Sequence, residues 1–357
     1  RVLIPGLLEC PEAELVALYG PTAEKTQGIA TQRGVPYAGS DYERMLEEVR
    51  PQAVVVATPN DVHYPMALAA LRRGMAVCCE KPLALTVAQA EELVSVAHRA
   101  GVPTAVNFTY RSTNGTRHVE RVLREGRVGE VFHFSIAFWQ NIRADPAVPL
   151  GYRMLKERGG GALLDIGVHL MDTLAWWFGP LDAVCGLTRT VIPERDSPDG
   201  GRGAVSADDT ASFVVRLAGG AAGTVQVSQV AHGRQNYRRF EIFGSEGSVV
   251  MEEDRTFGPQ LSLARPAPLA ALLPPRSATA SPPGPPRPGQ VTFQPQPMPP
   301  DVDVPFDDFP RFHLSRIVAA LRGETTGWPT FEDGLRAQRA VAAVDESWRS
   351  RTWVSVR

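Results

Sequence analysis

Residues 53–82 read AVVVATPNDVHYPMALAALRRGMAVCCEKP. Ala53 to Ala57 is a continuous apolar run, as expected of a strand covered on both sides. A helical pattern from Asp61 to Arg73 follows, Gly74 caps it, and Ala76 to Cys79 is a second strand. The same rhythm extends both ways. Upstream, Glu14–Tyr19 reads as a strand and Thr22–Arg33 as a helix ended by Gly34. Ser40-x-x-Glu43 reads as a capping box opening a helix that Pro51 stops. Downstream, Thr86-x-x-Gln89 is a second capping box, its helix ends at Gly101, and Thr104–Asn107 is a further strand. Strand alternating with helix predicts an α/β domain with a doubly wound parallel sheet. Ligands bind such sheets outside the carboxyl ends of the strands. That rule selects Thr58-Pro59-Asn60-Asp61-Val62-His63, Glu80-Lys81-Pro82 and Asn107-Phe108-Thr109-Tyr110-Arg111 as the walls of one crevice.

From about residue 115 the pattern changes. A helix near Gly115–Glu125 leads into a long alternating strand, Val131–Trp139. Further strand patterns fall at 209–217, 223–230, 240–243 and 248–252, and two helical patterns close the chain near 308–322 and 331–348. This predicts an α+β domain with an open, mostly antiparallel sheet. The division is 1–107 for the first domain and 108–357 for the second. A proline-rich stretch, about 259–310, reads as a surface insertion of polyproline character.

At 357 residues the chain is long enough for two cores. A net charge of -2 offers no basic excess for nucleic acid or an anionic membrane, which points to small-molecule partners. Four cysteines without a CxxC pair fit neither a disulfide framework nor a cysteine zinc site, so a reducing, cytoplasmic setting is expected. No apolar run has the length of a membrane span, and the start has no signal-peptide pattern.

Residues 159–172, GGGALLDIGVHLMD, place Asp165, His169 and Asp172 on or near one face of a helical pattern that is otherwise apolar. Two chemistries could use that face. One is metal binding by all three residues, although nothing shaped like HExxH accompanies them. The other is proton transfer by His169 tuned by Asp165. Lys81, at the mouth of the parallel sheet, can donate to a substrate oxygen or hold a cofactor ribose, and Pro82 stiffens its turn.

Residues 57–93, the 159–172 stretch and the ending PTFEDGLRAQRAVAAVDESW together resemble the Gfo/Idh/MocA family of nicotinamide-dependent oxidoreductases. The resemblance is spread over nearly the whole chain apart from the proline-rich stretch. It implies a Rossmann-like first domain, a second domain that presents substrate and packs into homodimers or homotetramers through its sheet, and hydride transfer to or from a sugar, polyol or related compound. By the same resemblance Lys81, Asp165 and His169 are catalytic. Thr58, Pro59, Asn60, His63, Glu80 and Lys81 lie at the cofactor, and Asn107 and Tyr110 lie where substrate meets it. Arg111 and Arg153 are added as polar groups within reach of substrate. No metal is expected. The alternative is a non-catalytic dinucleotide- or sugar-binding relative.

A Rossmann domain opens with a strand and G-x-G-x-x-G, which sets pyrophosphate on a helix N-terminus. Here RVLIPGLLECPEAELVALY reads as the end of a first helix followed by the second strand, so that strand and loop are expected upstream. The second strand ends without the acid that holds an NAD ribose. Thr22 and Lys25 follow instead and lean the reading toward NADP over NAD.

Overall fold

The computed structural model describes residues 2–265, 293–324 and 327–356. In the first domain, helices α1 (Leu3–Leu8), α2 (Ala23–Arg33), α3 (Tyr42–Val49), α4 (His63–Arg72) and α5 (Val87–Ala100) alternate with strands β1 (Ala17–Tyr19), β2 (Tyr37–Gly39), β3 (Ala53–Val56), β4 (Ala76–Cys79) and β5 (Thr104–Val106). Every ladder among these strands is parallel. The single sheet expected from sequence is two ladders among the described residues, β1–β2 and β3–β4–β5, because no backbone pairing joins β1 to β3.

Local chemistry explains most boundaries. The Thr86 hydroxyl accepts from Gln89 N while the Gln89 side chain accepts from Thr86 N, a complete capping box, and Gly101 closes α5 at φ 65°. At α3 the expected cap is shifted by one residue: the Asp41 carboxylate, not Ser40, accepts from Arg44 N. A carboxylate suits the positive end of the helix at least as well as a hydroxyl.

The second domain begins with α6 (Asn114–Arg124) and β6 (Val131–Trp139), then α7 (Val168–Phe178) and β7 (Leu181–Arg189). A small hairpin, β8 (Glu194–Asp196) with β9 (Arg202–Ala204), precedes β10 (Thr210–Leu217), β11 (Ala222–Ser228), β12 (Tyr237–Gly244), β13 (Ser248–Asp254) and β14 (Phe257–Ala264). After β15 (Gln294–Gln296) come α8 (Phe309–Leu321), α9 (Phe331–Ser350) and β16 (Val354–Ser355). Nine strands form one sheet in the order β15-β14-β13-β12-β6-β11-β10-β7-β16. Its ladders are antiparallel except β6–β11. Buried residues of β10 and β11 alternate with half-buried or exposed ones, and α6, α7 and α9 cover the inner face.

Two domain expectations change. The stretch 259–310 is not one insertion. Its first residues complete β14, Gln294–Gln296 form β15 and its last belong to α8, while the segment PPRSATASPPGPPRPG lies outside the described residues. The last helices also do not belong to the second domain alone. Helix α8 packs on α1, β4 and β5, and Leu314 and Ile317 share a buried cluster with Cys78 and Ala105. The chain thus returns to cover the parallel sheet, because an apolar sheet face needs a second layer.

Candidate functional site

The parallel β6–β11 pair organises the second domain's half of the crevice. Parallel neighbours end on the same side, so the segments after Trp139 and Ser228 emerge together. Gln140 N donates to Ser228 O at 2.9 Å, and Arg143 N to Gln229 O at 2.9 Å. The second contribution is the run after the glycines. Leu163–Gly167 form a π-helical turn ahead of α7, a geometry that concentrates at functional sites. The glycines are required by packing. A Cβ at Gly160 would stand 2.3 Å from Arg153 O, and one at Gly161, whose φ is 116°, would stand 2.3 Å from an Asp208 carboxylate oxygen.

Across from that turn lies the Glu80-Lys81-Pro82 segment. Lys81 Nζ donates to Asp165 Oδ1 at 2.6 Å and to Asp165 O at 2.7 Å. Gln229 Nε2 donates to the other carboxylate oxygen at 2.9 Å. Burial pushes the Asp165 carboxyl up, but the Lys81 ammonium, with Arg153 and Arg143 behind it, overrides this and holds it well below the usual carboxylate range. His169, one helical turn on, is 5% exposed. Its ring stacks on Tyr110 with centroids 4.1 Å apart, and Phe108 meets its edge. Burial, and then the Lys81 charge, depress its pKa well below the ordinary histidine value. The imidazole is therefore neutral at pH 7, and its buried Nδ1 has no hydrogen-bond partner.

Several expected residues have other duties. Asp172 does not join Asp165 and His169. It receives Arg111 Nη2 at 2.6 Å and Nε at 2.9 Å. This breaks up the three-residue metal set, because the shared face assumed a uniform α-helix and Asp172 turns to the Arg111 side. Arg111 is corrected with it. Arg111 is 4% exposed and its guanidinium is committed to Asp172 and Asp333. Burial works against its charge, but the two carboxylates prevail and raise its pKa. Asn107 is also turned inward. Its Nδ2 donates to Glu80 Oε1 at 2.5 Å and its Oδ1 lies 2.6 Å from His313 Nε2. His63 is fully buried, with Nδ1 2.7 Å from Pro82 O and Nε2 3.0 Å from Thr58 O, so it ties two strand-end turns together. Asn60 Nδ2 donates to Gly159 O at 2.8 Å and clamps the first domain to the glycine run. Arg153 is exposed at the crevice, its guanidinium over the Tyr152 ring. Thr22 and Lys25 are exposed at the start of α2, just past β1.

Sequence reasoning missed Gln229 and His313. Gln229 follows an alternating strand, so the strand-end rule could have raised it. His313 sits in α8 with no signal beside it. Its pKa is pushed down to about 4 by burial and then Arg316. A neutral ring that donates from Nε2 to Asn107 Oδ1 accepts at Nδ1 from Ser112 Oγ, 2.8 Å away. Ser112, His313, Asn107 and Glu80 thus form one buried chain ending beside Lys81.

The strand ends of a doubly wound fold meeting a lysine–carboxylate pair and a neutral histidine from a second domain define a two-domain, dinucleotide-dependent oxidoreductase. The donor set suits a nicotinamide dinucleotide. Thr58 Oγ1 is buried at the β3 end with no partner, and Pro59, Glu80 and Lys81 edge the same crevice. The chain belongs to the Gfo/Idh/MocA oxidoreductase family. Residues 2–108 match its oxidoreductase-family NAD-binding Rossmann fold and residues 116–250 its Gfo/Idh/MocA C-terminal domain.

Among related proteins, levoglucosan dehydrogenase of Pseudarthrobacter phenanthrenivorans is 33% identical over 259 residues, which are 69% of this chain and 66%, just under two thirds, of that enzyme. A 1,5-anhydro-D-fructose reductase of Ensifer adhaerens is 30% identical over 258 residues, 70% of this chain and 72% of that protein. Levoglucosan dehydrogenase complexed with NADH and levoglucosan superposes with a TM-score of 0.81 at 27% identity, covering 99% of this chain and 94% of that one. An NAD-binding oxidoreductase from Klebsiella pneumoniae gives 0.83 at 27% identity, covering 97% and 90%.

Proposed function

We propose that the protein oxidises a hydroxyl of a sugar, polyol or related compound, or reduces the matching carbonyl, with NAD(H) or NADP(H). The observation that carries this is the Lys81–Asp165 contact across the two domains beside a neutral His169. The bound nicotinamide supplies a hydride acceptor or donor. The rest belongs to side chains of this chain. The Lys81 ammonium, fixed by two oxygens of Asp165, donates to the reacting oxygen and stabilises its developing negative charge, which counts for more away from water. His169 takes the hydroxyl proton as the hydride leaves carbon, and returns it in the reverse direction. Asp165 orients Lys81 and balances its charge, while Gln229 holds the second carboxylate oxygen. Tyr110 sets the plane of the imidazole by stacking.

Thr58, Pro59, Glu80 and Lys81 would line the nicotinamide end of the cofactor. Thr22 and Lys25 would meet its adenosine ribose, and the absence of an acid at the end of β1 supports NADP being accepted beside NAD. The runner-up, a non-catalytic relative, is disfavoured by an intact Lys81–Asp165–His169 set. Self-association through the open sheet face is supported by Leu187, 45% exposed, which the alternation of β7 turns away from the buried Val184.

Absorbance of reduced cofactor with a sugar and polyol panel tests the proposal. Turnover is expected, and loss of it in Lys81→Ala and His169→Ala, with cofactor affinity retained in His169→Ala. Full turnover in both variants would remove the mechanism.

A further inference from the structure

Arg143 lies in the segment after β6 and is 3% exposed. Its backbone is fixed from two sides: its N–H donates to Gln229 O at 2.9 Å, and its carbonyl accepts from Arg195 Nη2 at 2.5 Å. Arg195 is wholly buried and also donates through Nη1 to Asp145 O at 2.7 Å and Val148 O at 3.1 Å. The β8 hairpin thus uses one guanidinium to hold the loop that carries another.

The Arg143 side chain itself makes no hydrogen bond or ion pair among the described residues, and its Nη1 is buried without a partner. A buried guanidinium left unpaired is costly. Its charge bears first on Asp165, then on Asp209 and Asp208. Asp165 is already bonded to Lys81. Asp208 accepts from Leu163 N, and Asp209 accepts through Oδ2 from Val191 N and Ile192 N, while its buried Oδ1 has no hydrogen-bond partner and leaves Arg143 only a through-space carboxylate there. Arg153 adds a further positive charge to the same field. Beside a neutral His169, the charges of Lys81, Arg143 and Arg153 all bear on Asp165, whose carboxylate is already bonded to Lys81 and Gln229. Gln229 Oε1, next to this group, is a buried acceptor with no donor, which suits a sugar hydroxyl.

We propose that Arg143 is the anion-recognising residue of the crevice, and that the preferred substrate is a carboxylated sugar or polyol, an aldonate or uronate, whose carboxylate it receives while the reacting hydroxyl lies against Lys81 and His169. This rests on the sugar-oxidoreductase reading and names the substrate class within it. Arg195 is a positioning residue acting through the 143–148 loop.

Matched pairs test it on the full chain: D-gluconate against D-glucitol, and methyl α-D-glucopyranosiduronate against methyl α-D-glucopyranoside, each pair differing by carboxylate for CH2OH. The acid of at least one pair should have the higher kcat/KM by roughly ten- to a hundredfold, the range of a charge-assisted hydrogen bond. Arg143→Gln should bring that ratio to about one, and Arg143→Lys should keep part of it. Calorimetric binding of the same pairs to the NADH-loaded protein reads the ratio without turnover and without a variant. Preferential binding of the acids with no oxidation keeps the subsite and removes the reaction. Oxidation with no acid preference keeps the reaction and overturns the subsite, as does stronger binding of D-glucose 6-phosphate than of either acid, or no binding of any of these compounds.

Discussion

Replacing Lys81 by methionine keeps the side-chain stem and deletes only the ammonium, so two effects can be read together. The first is kinetic. Among the described residues Nζ is the one charged group that donates to Asp165, and removing one preorganised donor of this kind lowers kcat by about 10²–10³. The second is energetic. Lys81 and Asp165 are 15% and 17% exposed at their side chains, and breaking such a pair strands a carboxylate. The usual cost is about 3–5 kcal/mol. Gln229 and the fields of Arg143 and Arg153 remain, so the lower end, about 3 kcal/mol, is expected at pH 7.

The pH dependence fixes the cause. A depressed carboxyl contributes stability that is fully present above its unfolded-chain value, near ~4, and lost as pH falls through its folded value. Wild type therefore loses this contribution in acid and Lys81→Met does not. The stability gap should be widest at neutral pH and narrow progressively as pH falls below about 4 toward the depressed Asp165 value. Urea unfolding at a series of pH values, with cofactor-linked kinetics at pH 7, provides both measurements. A gap indifferent to pH, or a variant with wild-type kcat, would refute the reasoning.

Other outcomes follow from the same geometry. Arg111→Met leaves Asp172 and Asp333 without their shared cation and should cost about 3–5 kcal/mol in urea unfolding while sugar KM is unchanged; native stability with a raised KM would return Arg111 to the substrate. Gly161→Ala forces a Cβ onto Asp208 at positive φ and should lower stability by about 1–3 kcal/mol, seen as a lower Tm. His313→Leu cuts the chain Ser112–His313–Asn107–Glu80 and should weaken NADH binding by about two- to tenfold in a fluorescence titration; unaltered affinity would confine His313 to packing. Thr86→Ala removes the α5 cap and should cost about 1 kcal/mol without changing kinetics.

What the sequence determined by itself was governed by short-range physics. The runs at 53–57, 76–79 and 104–107, punctuated by Gly74, Thr86 and Gly101, specify parallel strands and their helices through periodicity and capping, and the strand-end rule then places Thr58, Glu80 and Lys81 at one crevice. The polar face within residues 159–172 brought out Asp165 and His169 together with Asp172, and the family resemblance then gave the first two their catalytic roles. What only the tertiary structure decided were the partners of long, buried polar side chains. Arg111, Asn107 and His63 all sit in segments that border the crevice, yet each turns to groups supplied from elsewhere: Asp172, His313 and Pro82. Period and spacing fix the direction of a Cβ. The far end of an arginine or the amide of an asparagine is fixed by desolvation, which forces each buried polar group to find a partner wherever the fold supplies one.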